Sequence, residues 1–399
     1  KPDTADTATA EAYNNGNIIL GDSSLIVNSG NKDTAYFGDI TFKTAGTYKF
    51  TVSEVDTKVP GVTYDTTPKT IVVNVTDNLD GTLSATIDTE NSETLEFNNV
   101  YKPSEAVLEG STALKVTKNF TGRDWLDSEF TFNLTAGDTT TQEAVTAGKV
   151  ILDNGSLTIN EGNKDSASFG NIRFTEAGTY KFTVSEVEGS IPGVKYDTTP
   201  RTITVKVVDN KDGTMSATIV ADESDDLTFT NKYTPNPVSI GATGLAVSKE
   251  LKGREWIDTD VFTFNIAAGN TVTKNAVEAE EITFENTEIE INKPNSAACF
   301  GKITFTKTGD YVFKVTEKPG NIKGITYDSS EKYIAVSVTD DNNGSLVATI
   351  NNEPLLVFEN TYAPVDSAIL KGETNLKVTK NLTGREDNKW STRDIYIFD

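Results

Sequence analysis

The sequence predicts an all-β chain built from tandem β-sandwich domains, and three observations carry that prediction. The first is repetition over nearly the whole length, with a period of about 131 residues. "AGTYKFTVSEV" at Ala45 returns unchanged at Ala177 and as "TGDYVFKVTEK" at Thr308. "PGVTYDTTPKTIVVNVTDNLDGTLSATI" at Pro60 returns at Pro192 and, more loosely, from Gly324. "LEFNNVY", "LTFTNKY" and "LVFENTY" close the copies at Tyr101, Tyr233 and Tyr362. The second observation is the texture of each copy. Short runs rich in Val, Ile, Thr, Phe and Tyr alternate apolar and polar residues, and turn residues separate them roughly every ten positions. The third is that no stretch shows a convincing helical period. Each copy therefore reads as an Ig-like sandwich.

Taken in chain order, residues 1–102 form a repeat that lacks its first strands. It begins "KPDTADTATAEAYNNGNIIL", which matches the region around "AGDTTTQEAVTAGKVIL" from Ala136 of the next copy. Residues 103–233 and 234–362 are complete repeats. Residues 363–399, with "NLKVTKNLTGR", are the opening strands of a further repeat or a strand donated to a neighbouring subunit. In each copy the "DNLDG", "DNKDG" or "DDNNG" segment reads as a hairpin turn. The linkers Lys102–Ser111, Thr234–Ala242 and Ala363–Glu373 are short and contain Pro, so semi-rigid joints in an elongated array are expected.

Composition narrows the function. The chain has 399 residues, 36% hydrophobic and 24% charged, with a net charge of −23. Such an acidic surface disfavours nucleic acid and anionic membranes. No apolar run approaches spanning length, so no membrane insertion is expected, and no signal-peptide pattern opens the chain. Its first residue is Lys rather than Met, which suggests processing or excision. One Cys and no His leave no intrachain disulfide and no His-based catalytic triad. No metal, cofactor or turnover enzyme is expected. The "DNLDG"-type segments lack EF-hand spacing and read as turns. Cys299 replaces Tyr36 and Ser168 of the other copies, and Trp125, Trp256 and Trp390 recur at one packing position.

The informative residues are polar ones on apolar faces. Residues two apart in a strand share a face. In the opening strand these are Leu114, Val116, Lys118 and Phe120; then Leu245, Val247, Lys249 and Leu251; then Leu376, Val378, Lys380 and Leu382. The closing strand places Asn99, Asn231 and Asn360 among Leu, Phe and Tyr in the same way. A middle strand does so with Glu54, Glu186 and Glu317. Burying Lys, Glu and Asn is costly unless they satisfy one another. Burial lowers a Lys pKa and raises a Glu pKa, so both can be neutral. A neutral amine is a nucleophile and an Asn carboxamide an electrophile. A protonated Glu can hydrogen-bond the amide oxygen and pass a proton to departing ammonia. The product is a Lys–Asn isopeptide bond.

The set "VTKNFTGR", "YKFTVSEV…PGVKYD" and "LTFTNKY" resembles the isopeptide-linkage domain of streptococcal-type major pilins and related Gram-positive surface adhesins, over essentially the whole chain. The resemblance implies spontaneous Lys–Asn cross-links assisted by a Glu. These would be Lys118–Asn231 with Glu186 and Lys249–Asn360 with Glu317. It also implies a structural part of a bacterial cell-surface filament or stalk. No LPxTG-like sorting signal or pilin-polymerisation motif is present.

The two outer pieces complement each other. The head holds Glu54 and Asn99 without a Lys strand, and the tail holds Lys380 without Glu or Asn. Two explanations follow: strand addition between subunits, or a window cut from a longer array. Both join Lys380 to Asn99 beside Glu54, and both make other copies or adjacent repeats the expected partners. The competing expectation is a binding module for a host glycoprotein or glycan, with the divergent loops of the third copy, "EAEEITFENTEIEINKPNSAAC" from Glu278, as its site.

Overall fold

A computed structural model describes residues 1–32, 35–241, 245–351, 355–386 and 389–399; Ala242, the last residue of one expected linker, lies outside them. The fold is all-β. Two compact units are present: Lys1–Ser190 with Lys195–Tyr233, and Ile191–Val194 with Thr234–Asp399.

Within the first unit, the second copy holds its opening strand, Lys115–Thr121, between Ser166–Ser168 and the closing strand, Thr228–Tyr233. Opening and closing strands run parallel, with Lys118 opposite Phe229 and Phe120 opposite Asn231. A five-stranded sheet runs in the order Ser156–Ile159, Phe130–Ala136, Gly178–Glu186, Arg201–Asp209, Met215–Ile219. Its inner face meets the other sheet through Phe132 on Phe229, ring centroids 5.1 Å apart. The alternation of the central strand explains the burial: Tyr180, Phe182, Val184 and Glu186 point inward.

In the second unit, the third copy repeats this plan. Ala246–Lys252 lies parallel to Leu355–Tyr362, with Lys249 opposite Phe358 and Leu251 opposite Asn360. Its core packs Phe264 on Phe358 at 5.2 Å.

The first copy shows what the missing strands do. Its central strand is Gly46–Val52 and stops two residues short of Glu54. In the second copy the matching residues, Ser185 and Glu186, are paired only by Phe130–Ala136, and that strand has no counterpart here. The closing strand is likewise reduced to Val100–Tyr101 because its parallel partner is absent. Leu95 is consequently 43% exposed, whereas its equivalent Leu227 is 7% exposed. After residue 362 no strand is present among the described residues. Among the described residues of the tail only the short helix Gly372–Asn375 is regular, because a strand needs a ladder partner and none is present.

A recurring helix interrupts the strands without an apolar period to announce it. Each copy carries a two-turn helix, Thr7–Asn14, Thr139–Thr146 or Thr271–Glu278. Asp6, Asp138 and Asn270 cap them by accepting the N–H of Thr9, Thr141 and Thr273. Those threonines are fully buried, and their hydroxyls accept the backbone N–H of Lys49, Lys181 and Val312 at 2.7–2.8 Å. The signal was the spacing Asp/Asn-x-x-Thr; eight residues are too few for a period to emerge.

Candidate functional site: buried Lys–Glu–Asn triads

In the second copy three strands deliver three polar side chains into one apolar interior. Lys118 is 1% exposed, Glu186 5% and Asn231 not at all. Lys118 Nζ donates to Glu186 Oε1 and Oε2 at 2.9 and 2.8 Å. Asn231 Nδ2 donates to Glu186 Oε1 at 2.6 Å. The ammonium lies over the Phe130 and Phe132 rings, 4.6 and 5.8 Å from their centroids. The third copy reproduces the arrangement. Lys249 Nζ donates to Glu317 Oε2 at 2.9 Å and Asn360 Nδ2 to Glu317 Oε1 at 2.7 Å, with all three side chains buried.

Electrostatics push the pair toward neutrality. Burial lowers Lys118 and Lys249, and their partners Glu186 and Glu317 only partly oppose it. Burial likewise raises Glu186, against the pull of Lys118 and Asn231. A shared proton can therefore sit on the carboxyl and leave a free amine lone pair.

The geometry amends the expected role of Glu and adds a group. The Glu186 carboxyl meets the amide nitrogen of Asn231, the leaving side, rather than the amide oxygen. The oxygen, Asn231 Oδ1, accepts the backbone N–H of Asp197 at 2.8 Å. Asp328 N does the same for Asn360 at 2.7 Å, and Asp65 N for Asn99 at 2.9 Å. This donor belongs to the "YD" that follows each "PGV" or "KGI" turn, a recurring pair that the sequence displayed without a role. The Asp197 side chain fixes the turn by accepting from Thr199 and Thr230 N–H and from Arg201. Burial raises its pKa, but these donors outweigh it and hold the carboxyl low.

The outer pieces carry halves of the site. In the head, Asn99 Nδ2 donates to Glu54 Oε1 at 2.6 Å, while Glu54 Oε2 is buried with no hydrogen-bond partner among the described residues. In the tail, Lys380 Nζ lies 4.8 Å from the centroid of Tyr396, as Lys249 lies 5.2 Å from that of Phe262. Trp390 meets Tyr396 edge-on at 5.3 Å, as Trp256 meets Phe262 at 5.0 Å. Arg385 grips Asp394 with two hydrogen bonds, as Arg254 grips Asp260. Lys380 is exposed and not within the bonds of any described triad. Cys299 is a free thiol of intermediate exposure, and Trp125 packs on Phe120 and Phe130.

Parallel first and last strands, bridged inside a β-sandwich by hydrogen-bonded Lys, Glu and Asn, define the class of domain that both complete copies share. The sequence profile of the Spy0128-like isopeptide containing domain (FctA) matches residues 1–102, 114–234 and 245–363, and the chain belongs to that family. Among solved structures, a major pilin from Streptococcus pyogenes is 18% identical, covering 65% of this chain and 99% of its own at a TM-score of 0.25. The T-13 major pilin of S. pyogenes is 16% identical, with the same coverage and a TM-score of 0.23. The shaft pilin SpaA from Lactobacillus rhamnosus GG is 11% identical, covering 64% of this chain and 100% of its own at a TM-score of 0.16. A search of curated proteins found no match.

Proposed function

We propose that the chain is a structural part of a bacterial cell-surface filament or stalk, hardened by Lys–Asn isopeptide bonds that it makes itself. The observation that carries this reading is the buried triad, formed twice with the same partners. The neutral amine of Lys118 attacks Cγ of Asn231. The Asp197 N–H supports the charge that gathers on Oδ1. Glu186 takes a proton from the attacking nitrogen and returns one to Nδ2. The Cγ–Nδ2 bond breaks, ammonia leaves, and an amide joins the strands. The same steps apply to Lys249, Asn360 and Glu317. The step occurs once per domain and is not turnover. Because the joined strands are the first and last of a sandwich, tension entering at one end can leave at the other along covalent bonds.

The half-sites extend the reading to a joint between copies or adjacent repeats. Lys380, already set over Tyr396 beside a formed Arg385–Asp394 corner, supplies the cation that Glu54 Oε2 lacks. The head offers the tail an apolar groove lined by Leu20, Phe37, Ile40, Phe50, Ile71 and Leu95. Peptide mapping by tandem mass spectrometry of associated material tests this joint. A peptide linking Lys380 to Asn99 is expected, and Lys380→Ala should abolish it. Finding both residues unmodified in associated material overturns it.

A further inference from the structure

The structure assigns a second, non-covalent contact to the joint between copies: the Asp77–Gly81 hairpin of one chain docks on the Gly324–Tyr362 face of another. An equivalent contact is already made inside the chain. In the first unit the Asp209–Gly213 hairpin of the second copy seats on the first copy's Pro60–Gly61 turn. Tyr101 Oη donates to Asp209 Oδ1 at 2.9 Å, and Gly213 N donates back to Tyr101 Oη at 3.3 Å. Ser104 N closes the contact on Gly213 O at 2.9 Å. The fit is tight: a Cβ at Gly213 would stand 2.6 Å from the Pro60 carbonyl carbon. Within the second unit the Asp340–Gly344 hairpin repeats it. Asn236, three residues past Tyr233 as Ser104 is past Tyr101, donates its N–H to Gly344 O at 2.8 Å, and a Cβ at Gly344 would lie 2.7 Å from Pro192 Cβ.

Both halves of a third such contact are present and apart. The Asp77–Gly81 hairpin has the backbone of its relatives. Leu79 and Gly81 adopt φ of 62° and 88°, as Lys211 and Gly213 adopt 63° and 84°. Asp77 Oδ1 accepts Leu79 N as Asp209 Oδ1 accepts Lys211 N. Yet a Cβ at Gly81 would meet nothing within 4 Å among the described residues. On the receiving side, the Tyr362 ring covers Gly324 as the Tyr101 ring covers Gly61, and Ala363 N donates to Gly324 O as Lys102 N does to Gly61 O. Val365 holds the place of Ser104. One substitution alters the seat: Lys323, paired with Asp366 at 2.5 Å, stands where Pro60 and Pro192 stand. The Asp77–Gly81 hairpin of another copy of this chain carries the groups that this seat pairs with, its Asp77 receiving the Tyr362 hydroxyl and its Gly81 carbonyl the Val365 N–H. Hairpin and seat lie on different surfaces, so the contact is heterologous and propagates head to tail.

The contact rests on backbone and hydroxyl groups and does not require the Lys380–Asn99 bond, so the two are tested separately. Sedimentation velocity over a dilution series of the full chain carrying Lys380→Ala reads docking without covalent linkage. Reversible association is expected. Tyr362→Phe should weaken it about tenfold, the worth of one hydrogen bond to a carboxylate. Gly81→Ala, which puts a methyl where the seat closes, should weaken it at least as much. A Tyr362→Phe variant with unchanged secondary structure keeps the test informative if the glycine replacement misfolds. No association in the Lys380→Ala chain, or association indifferent to Tyr362→Phe, overturns the proposal. Absence of a Lys380–Asn99 peptide in the unsubstituted chain would count against the covalent joint alone.

Discussion

At the scale of single residues, the chemistry turns on a proton. Lys118 and Glu186 are each driven by burial toward their uncharged forms, and the proposed bond would remove the buried amine altogether. Glu186→Ala should therefore leave the second domain unlinked while the third still links. Trypsin digestion under denaturing conditions reads this out, through the return of separate peptides bearing Lys118 and Asn231. The Asp197 N–H is a fixed donor to the amide oxygen in that site. Asp197→Pro deletes it, and by analogy with the loss of an oxyanion donor should slow ammonia release about 10²–10³-fold. A mass time course during refolding measures that rate. A rate unchanged from the parent would remove the donor from the mechanism.

At the scale of elements, the repeated helix and the Arg–Asp corner invite separate tests. The Thr141 hydroxyl is buried and accepts Lys181 N–H at 2.8 Å. Thr141→Val leaves that N–H unpaired, at a cost of about 1–3 kcal/mol, to be read from denaturant melts. Asp260 is held below 3.8 first by Arg254, against burial, with help from the Ile257 N–H. Because its folded pKa is depressed, it contributes stability above 3.8 that is lost as pH falls through the lowered value. Asp260→Ser, which installs the side chain found at Ser128 in the second copy, should flatten the acid limb of the third domain's melting curve. An acid limb of unchanged steepness would contradict the assignment.

Legibility also follows the elements. The long alternating strands announced themselves because a period of two survives any register, and Lys118, Glu186 and Asn231 stood out because they broke that period three times over. The helices did not, since a buried Thr and a cap carry no apolar stripe. The Asp197 N–H was invisible for a deeper reason: a backbone donor has no side chain to read, and only the turn that aims it at Asn231 reveals it. The side of the amide that Glu186 meets likewise depends on rotamers and register, which spacing does not encode.

At the scale of the whole molecule, each bond would close a loop of roughly 100 residues. By the chain-entropy account of cross-links this is worth about 4–5 kcal/mol per domain. The effect is large beside the total stability of an ordinary domain, about 5–15 kcal/mol. Loss of one bond should therefore lower a domain's melting temperature clearly, and differential scanning calorimetry of Glu186→Ala should separate a weakened second domain from an unchanged third. The first copy, with a core of Ala12, Ile18, Tyr48, Phe50, Val73 and Val75, should melt lowest in an isolated chain. It should gain most when an opening strand carrying Lys380 is supplied.

The central claim is that buried Lys–Glu–Asn triads become covalent bonds, and the intact mass of the purified chain tests it most directly. The account predicts a mass below that of the sequence by two ammonia molecules, one each for Lys118–Asn231 and Lys249–Asn360. The deficit should fall to one in Glu186→Ala and to none when Glu317→Ala is added. A purified, folded chain with the full mass of its sequence would contradict it.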